Sequence, residues 1–289
     1  MDYILILIDY LPPYIKYIIN SILSVDKDAN IFIGSNQHVN FKNTHHINLN
    51  DVVSNEAEQF KDLKIYNGTI FQQNPLWMNS VLRIFYLKEI SEMLNSELMV
   101  HFDNDVIIYK PFSLLDQKSI NKKVLNITPA SQKKLVFGYS IIPKGNNLLK
   151  ICQEINNIAK FGIQNKWEFN SNKPFNEMNF LSNIYNTDKN LINLLPTLPH
   201  QSKLLFDPSN YGQFFDGTHM HPHNFLKSNR KLNFNEKIDV EIYTKRIRPK
   251  FKRKNPYVLC QNIKYELVNL HIHSKRFDKF LPLNYKNYI

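Results

Sequence analysis

The chain has 289 residues, with 36 Lys and Arg against 25 Asp and Glu, so its formal net charge is +11. Its 43% hydrophobic and 13% aromatic residues are enough to form a large buried core, which excludes an intrinsically disordered protein. The two cysteines, Cys152 and Cys260, exclude a disulfide scaffold, and no spacing of Cys with His suggests a zinc site.

The beginning of the chain predicts a strand, a helix and a second strand. The apolar run Tyr3–Ile8 is typical of a buried strand in a parallel sheet, and it is too short to cross a membrane. Pro12 and Pro13 open a helical pattern, and Asn30–Gly34 predicts the next strand. Together these elements predict a βαβ unit with a right-handed crossover.

The same alternation continues up to a short acidic segment. His46–Leu49 is a candidate short strand, and Leu76–Leu94 has apolar residues at the three- and four-residue steps of a long helix. Leu98–Phe102 is another strongly apolar run, and it leads directly into an Asp-Asn-Asp triplet. The first part of the chain therefore predicts an α/β fold.

The second half of the chain predicts further strands and helices, separated by one long ordered loop. The predicted strands are Val124–Ile127, Leu135–Ile142, Tyr257–Cys260 and Tyr265–His273, the helices are Asn146–Ala159 and Asn176–Tyr185, and the loop is Pro196–Asn224. Loops of this length in compact domains are often functional.

The triplet Asp103-Asn104-Asp105 stands where a buried strand ends, at the edge where open α/β sheets bind ligands. Two carboxylates two residues apart point the same way in an extended chain, and they repel each other unless a cation lies between them. A hard divalent ion such as Mg²⁺ or Mn²⁺ satisfies both and also binds phosphates. The alternative is a polar turn, because Asp and Asn favour turns.

A second candidate site is the segment His271-Ile272-His273-Ser274-Lys275, at the end of another apolar run. The period of a strand places His271, His273 and Lys275 on one face. One imidazole can bind a metal and the ammonium group can neutralise phosphate. The alternative is a half-buried strand whose polar face carries histidines.

Three acidic residues and one arginine complete the set of candidates. Glu177 stands at a predicted helix start, where either the helix dipole or a catalytic role explains a carboxylate. Asp207 and Asp216 lie in the segment FDPSNYGQFFDG, whose glycines suggest either demanding backbone positions or ordinary turns. Arg83, on the helix before the triplet, can bind a phosphate or a carboxylate through two hydrogen bonds.

The order of these parts resembles that of GT-A-type nucleotide-sugar-dependent glycosyltransferases. The resemblance covers roughly residues 3–275 and is carried by the segments NSVLRIFYLKEI, LMVHFDNDVIIYKPF, VFGYSII, NEMNFL and HIHSK. The segment FDPSNYGQFFDG also resembles a motif of bacterial and viral relatives. The chain departs from the glycogenin-like branch, which spaces its late His and Lys further apart and places Gly between them.

The resemblance implies a fold and its division. The expected fold class is α/β, with a GT-A-like Rossmann-type mixed sheet flanked by helices, as a single domain with a C-terminal extension. Residues 1–110 are expected to be the nucleotide-sugar-binding half that ends in the DND motif. Residues 111–275 are expected to be the acceptor-binding and catalytic half, and residues 276–289 a C-terminal tail.

The resemblance also implies residue roles around a Mn²⁺ or Mg²⁺ ion that holds the nucleotide diphosphate. The implied metal ligands are Asp103, Asp105 and one of His271 and His273, and the implied donor-binding residues are Asp103, Asn104, Asp105, Arg83 and Lys275. If the reaction inverts the sugar configuration, a carboxylate must take the proton of the acceptor hydroxyl. The candidates for this base are Glu177, Asp207 and Asp216.

The expected activity is therefore hexosyltransferase-like transfer of a sugar, from a UDP-sugar by preference, to a saccharide or lipid-linked acceptor. Surface polysaccharide or lipopolysaccharide biosynthesis is the setting that the resemblance implies. A metal-dependent nuclease or phosphohydrolase is the alternative, since the net charge suits an anionic substrate. A binding protein for anionic surfaces is a third class. Because the sequence contains no recognisable nucleic-acid module, we expect no nucleic-acid partner.

The excess positive charge is confined to the end of the chain. Residues 227–289 hold 16 Lys and Arg against 5 Asp and Glu, and this difference equals the whole net charge. The segment Lys245–Lys254 holds seven of these basic residues. It is either a solvated loop or a contact with anionic lipid near a lipid-linked acceptor. We expect a cytoplasmic protein that lies at the membrane face if the second interpretation holds.

Overall fold

The computed structural model describes residues 1–68, 72–131, 133–145, 147–165, 175–199, 201–216, 249–252 and 255–289. Within these ranges the helices are α1 (Ile15–Val25), α2 (Asn55–Asp62), α3 (Pro75–Leu94), α4 (Asn147–Gln164), α5 (Glu177–Thr187) and α6 (Gln213–Asp216). The strands are β1 (Asp2–Leu7), β2 (Asn30–Ser35), β3 (His45–Asn48), β4 (Leu98–Phe102), β5 (Val106–Ile108), β6 (Leu125–Ser131), β7 (Lys134–Pro143), β8 (Ile192–Leu194), β9 (Leu204–Leu205), β10 (Pro249–Lys252), β11 (Asn255–Cys260), β12 (Ile263–Leu267) and β13 (Asn269–His271).

A seven-stranded sheet with the order β3-β2-β1-β4-β7-β6-β8 forms the centre of the fold. Strand β1 pairs in parallel with β2 and β4, whereas β7 runs antiparallel to both β4 and β6. Apolar side chains from α1, β5 and β13 cover one face of this sheet, and those from α2, α3, α4 and α5 cover the other. The prediction of an α/β fold with a mixed sheet flanked by helices is therefore confirmed.

The strongly apolar runs of the sequence are the central strands of this sheet. Strands β1 and β4 lie side by side and are covered on both faces, so Ile4 and Val100 are fully buried. A strand covered on both faces needs a continuous run of apolar residues rather than an alternating pattern. The carboxyl ends of β1 and β4 lie at the same edge of the sheet because the two strands are parallel.

Side-chain caps fix the start of both helices that carry predicted site residues. The side chain of Asn74 accepts a hydrogen bond from the backbone N–H of Leu76 at 3.1 Å, and α3 begins at Pro75. At α5, Asn176 and Asn179 form a reciprocal capping box. These caps set where Arg83 on α3 and Glu177 on α5 stand.

Two of the sequence predictions need correction in detail. The predicted strand Tyr265–His273 is two strands, because β12 belongs to a four-stranded sheet with β9, β10 and β11, whereas β13 pairs with β5. The predicted loop Pro196–Asn224 contains the short strand β9 and the helical turn α6, and its part from residue 217 onward lies outside the described residues.

The C-terminal residues pack against α1. The buried Asn20 side chain donates to Tyr285 Oη at 3.2 Å and to Asn287 Oδ1 at 2.9 Å, and it accepts the N–H of Tyr288 at 2.8 Å. In the parts of the chain described above, no helix combines the length and the apolar composition needed to cross a bilayer. The division of the chain at residues 110 and 275 stays a prediction.

Candidate active site

The site forms where three strands meet at one edge of the central sheet. Asp103 and Asp105 occupy the turn between β4 and β5, at the carboxyl end of β4. Strand β13 pairs antiparallel with β5, and this register places His271 opposite Val106. The pairing of β13 with β5 therefore brings His271 next to two acids that are far from it in sequence.

Asp103, Asp105 and His271 are arranged as a group that can hold a metal ion. The imidazole Nε2 of His271 lies 2.8 Å from Asp105 Oδ1 and 3.4 Å from Asp103 Oδ2. One ligand atom from each of the three residues lies within 4.8 Å of the others. Two carboxylates and one imidazole form a donor set that suits Mn²⁺ or Mg²⁺. The residues present therefore fit the divalent ion that the sequence predicted.

Two cationic side chains contact the two acids of this group, Arg83 at Asp103 and Lys275 at Asp105. The Arg83 guanidinium, on α3, donates to Asp103 Oδ1 through Nη1 and to Glu177 Oε1 through Nη2, the latter at 3.1 Å. The Lys275 ammonium donates to Asp105 Oδ2. The Arg83 side chain is 13% exposed and that of Lys275 is 31% exposed. Arg83 is thus held inside the site, whereas Lys275 reaches it from the solvent side.

The close contacts among these groups shift their pKa values. Burial by itself lowers the pKa of His271, but the carboxylates of Asp105 and Asp103 outweigh burial and raise it to about 10. Burial raises the pKa of Asp103, but the Arg83 guanidinium and His271 hold it well below its usual range. Burial and Arg83 together lower the pKa of His101 to about 3. The two carboxylates therefore favour the protonated form of His271 in the metal-free site, whereas burial and Arg83 favour the neutral form of His101.

A cavity of about 560 Å³ opens directly onto these residues. This volume is typical of sites that hold a small molecule or cofactor. Its wall contains the charged residues described above together with aromatic and apolar side chains. Among the residues of this wall are Tyr14, Leu76, Trp77, Asn104, Glu177, Met178 and Lys275.

The cavity also contains an acidic residue that the sequence interpretation did not select. Asp9 follows β1 in the left-handed region, with φ of 62°. Its N–H donates to Asn36 Oδ1 at 2.8 Å, and its Oδ2 accepts from Asn79 Nδ2 at 3.3 Å. The sequence contains a feature that could have identified this residue, because Asp9 ends an apolar strand in the same way as Asp103 does.

Asp207 lies behind the site and not on the cavity wall. Its side chain is buried, with 1% of the residue exposed. Its carboxylate accepts hydrogen bonds from the backbone N–H groups of Tyr211 at 2.8 Å, Gly212 at 3.0 Å and His271 at 3.0 Å. Burial raises the pKa of this carboxyl, although these hydrogen bonds oppose the rise. The structure therefore places Asp207 where it holds the backbone of His271.

Gly212 and Gly138 are positions where the backbone approaches the site too closely for a side chain. A Cβ atom on Gly212 would lie 1.9 Å from the backbone oxygen of His271. A Cβ atom on Gly138, in β7, would lie 2.8 Å from His271 Cε1 and 3.1 Å from Asp103 Oδ2. Of the two alternatives that the sequence left open for Gly212, the structure supports a demanding backbone position, and the cause is close approach.

The other predicted site residues divide into those at the cavity and those elsewhere. Asn104 lines the cavity, and the ring of His273 stacks on that of His271 with 5.0 Å between ring centroids. His273 Nε2 lies 3.4 Å from the backbone oxygen of Ser209, and the group that can hold a metal contains His271 rather than His273. Asp216 ends α6, and its side chain lies outside the described residues.

Comparison with solved structures finds glycosyltransferases. The apo form of mouse xyloside xylosyltransferase 1 is 9% identical to this chain, with a TM-score of 0.47 over 68% of this chain and 86% of that one. The PaToxG glycosyltransferase is 16% identical, with a TM-score of 0.43 over 65% and 69%. The galactosyltransferase LgtC, in complex with donor and acceptor sugar analogues, is 10% identical, with a TM-score of 0.41 over 69% and 76%. No family model and no curated protein matches the chain.

Gly138→Ala is expected to lower turnover by about 10- to 100-fold and to weaken Mn²⁺ binding, while the protein still folds. The added methyl group forces the His271 imidazole or the Asp103 carboxylate to move. Gly34→Ala is the matched control, because its Cβ would lie equally close, at 2.8 Å, to the flexible end of Ile6. Manganese titration measures the metal affinity, a turnover assay measures the activity, and circular dichroism measures the folding. Unchanged Mn²⁺ affinity in Gly138→Ala would contradict the prediction.

Proposed function

We propose that the protein is a metal-dependent glycosyltransferase that moves a sugar from a nucleoside-diphosphate donor to an acceptor hydroxyl. The observation that carries the proposal is the convergence of Asp103, Asp105 and His271 with Lys275 at a cavity of about 560 Å³. Such a site combines ligands for a divalent ion with a cation for phosphate, beside space for a nucleotide and a sugar.

The transfer breaks the bond between the sugar C1 and the diphosphate oxygen and forms a bond between C1 and the acceptor oxygen. Bound by Asp103, Asp105 and His271, Mn²⁺ or Mg²⁺ would stabilise the negative charge of the departing diphosphate. The Lys275 ammonium, which reaches the site from its solvent side, donates hydrogen bonds to phosphate oxygens. Asn104 adds a neutral donor at the same wall of the cavity.

Glu177 is the described carboxylate best placed for the acceptor side. It is the first residue of α5, it lines the cavity, and its contact with Arg83 orients its side chain. In an inverting reaction this carboxylate takes the proton of the acceptor hydroxyl. In a retaining reaction the leaving phosphate oxygen takes it. We propose Asp207 as a residue that positions His271, because backbone N–H groups occupy both of its oxygens.

A nuclease or phosphohydrolase suits this cavity less well. A nucleic-acid strand needs a basic surface that follows its backbone. The described cavity wall instead presents Leu76, Trp77 and Met178 together with the charged residues. Apolar and aromatic side chains of this kind suit the flat faces of a base and a sugar. This contrast favours a nucleotide-sugar donor.

Several finer features stay predictions. They are a UDP-sugar as donor, a saccharide or lipid-linked acceptor, a role in surface polysaccharide or lipopolysaccharide biosynthesis, and a cytoplasmic location. Contact of Lys245–Lys254 with anionic lipid also stays a prediction, since only residues 249–252 of this segment are described. Lys250 and Lys252 are exposed on the edge strand β10, where they are accessible to such a surface.

Thermal unfolding with and without Mn²⁺, in the presence of UDP, GDP, CMP or dTDP, tests the proposed function. A matching nucleoside diphosphate at 100 times its dissociation constant is expected to raise the melting temperature by about 5–10 °C. This rise is expected only in the presence of the metal, because the diphosphate binds through it. If no nucleotide changes the melting temperature, the proposed function is wrong. A rise with Mn²⁺ and an oligonucleotide alone would favour the nuclease instead.

A further inference from the structure

We infer that the Lys275 ammonium binds the Asp105 carboxylate until a diphosphate binds the ammonium instead. The site would therefore bind its divalent ion together with the diphosphate. The inference rests on the proposed function, since it concerns the same site. It adds a coupling between the two ligands that the donor set alone does not require.

Both oxygens of Asp105 already have side-chain partners, and one of these is the Lys275 ammonium. Oδ1 lies 2.8 Å from His271 Nε2, and Oδ2 accepts a hydrogen bond from the Lys275 ammonium. The residue itself is buried, with 3% exposed. A divalent ion that binds Asp105 must therefore compete with a positive charge that is held in place by the chain.

Lys275 can leave its carboxylate partner, whereas Arg83 is held by two. Arg83 contacts two carboxylates, Asp103 and Glu177, from the buried side of the site. The Lys275 side chain is partly exposed and has a flexible four-carbon stem. Removal of Lys275 from Asp105 therefore costs less free energy than removal of Arg83 from its two partners.

The backbone around Lys275 directs its side chain toward the cavity. The residue follows β13 in the left-handed region, with φ of 63°, and its N–H bonds to the oxygen of Ile272 at 3.1 Å. This turn returns the side chain to the site, and its ammonium lies 5.7 Å from the centre of the Tyr14 ring. Lys275 thus lines the same cavity that the diphosphate would occupy.

The consequence is a positive coupling between metal and diphosphate. A diphosphate offers the ammonium several charged oxygens, and such charge-assisted hydrogen bonds are strong. When Lys275 turns to the diphosphate, Asp105 Oδ2 becomes available to the ion. Because coupling between two ligands is reciprocal, the ion also strengthens binding of the diphosphate.

The test measures Mn²⁺ affinity from the electron paramagnetic resonance signal of free Mn²⁺, with and without saturating UDP. Formation of the Mn²⁺–UDP complex is measured first without protein and is subtracted. Without UDP, Lys275→Gln is expected to bind Mn²⁺ about 10-fold more tightly than the unchanged protein, since a charge-assisted hydrogen bond no longer competes. With UDP, this advantage is expected to disappear. Lys279→Gln removes the same charge from an exposed position four residues away and is expected to change neither affinity.

Three results would overturn the inference. Equal Mn²⁺ affinity of the two proteins without UDP would mean that Lys275 does not occupy Asp105. An equal advantage of Lys275→Gln with and without UDP would mean that Lys275 repels the ion from a distance. The same advantage in Lys279→Gln would mean that net charge alone is responsible. Failure of the proposed function gives a different result, because neither Mn²⁺ nor UDP would then bind to any of the three proteins.

Discussion

Asp105→Asn is expected to lower turnover at least about 1000-fold and to remove metal-dependent nucleotide binding. The amide keeps the shape of the carboxylate but loses the negative charge that attracts a divalent ion. Asp105 also contacts His271 and Lys275, so the substitution disturbs the part of the site where a metal and a diphosphate would meet. The variant is expected to remain folded, because Lys275 can turn to solvent when its partner is lost.

Manganese titration, nucleotide binding and circular dichroism distinguish this result from unfolding. Turnover is measured with the nucleotide sugar whose diphosphate raises the melting temperature. Asp278→Asn makes the same chemical change at an exposed position and is expected to leave binding and turnover unchanged. If the Asp105→Asn variant has the turnover rate of the unchanged protein, Asp105 has no essential role and the proposed metal site is wrong.

The parts of the fold and site that the sequence predicted are those that local patterns encode. Strand Leu98–Phe102 was predicted with the bounds that β4 has, because a strand buried on both faces needs an unbroken apolar run. The acids that follow it were recognisable as candidate ligands because they stand at the carboxyl end of this strand. Asp9 could have been found with this rule, since it also ends an apolar strand at the same edge of the sheet.

The parts that could not be predicted depend on pairing between distant segments. The strand Asn269–His271 has no local feature that shows its pairing with Val106–Ile108 rather than with β12. The sequence therefore left His271 and His273 as alternative ligands, and the register of β13 favours His271. Gly138 gave no signal because its importance comes from the side chains of two other elements that approach it.

For Asp207, the composition of the surrounding sequence and the contacts in the structure suggest different roles. An acidic residue in a loop rich in Gly, Asn and Tyr suggests a catalytic base, and Asp207 was therefore one of the candidates for this role. The structure places it where its carboxylate accepts three backbone N–H groups and lies away from the cavity. No sequence pattern shows that the partners of an acid are backbone groups.

Asp207→Asn is expected to lower the free energy of unfolding by about 3 kcal/mol or more, because hydrogen bonds to a buried charged group each contribute about 1.5–3 kcal/mol. The amide has one oxygen, so its NH₂ group faces N–H donors that the carboxylate bound before. In either orientation of the amide at least one of the N–H groups of Tyr211, Gly212 and His271 loses its acceptor, so the backbone that holds the His271 imidazole loosens. Mn²⁺ affinity is expected to fall together with stability.

Two measurements distinguish a positioning role of Asp207 from a role as the catalytic base. They are urea unfolding and Mn²⁺ titration of the same samples, at a temperature where the variant is fully folded. Asp116→Asn is the control, because Asp116 also accepts a backbone N–H, from Lys118 at 3.0 Å, but is exposed. Its stability is expected to change by less than about 0.5 kcal/mol. A positioning role requires that Asp207→Asn lose both stability and metal affinity. If the variant instead keeps its stability and its metal affinity but loses turnover, Asp207 is the base and Glu177 is not.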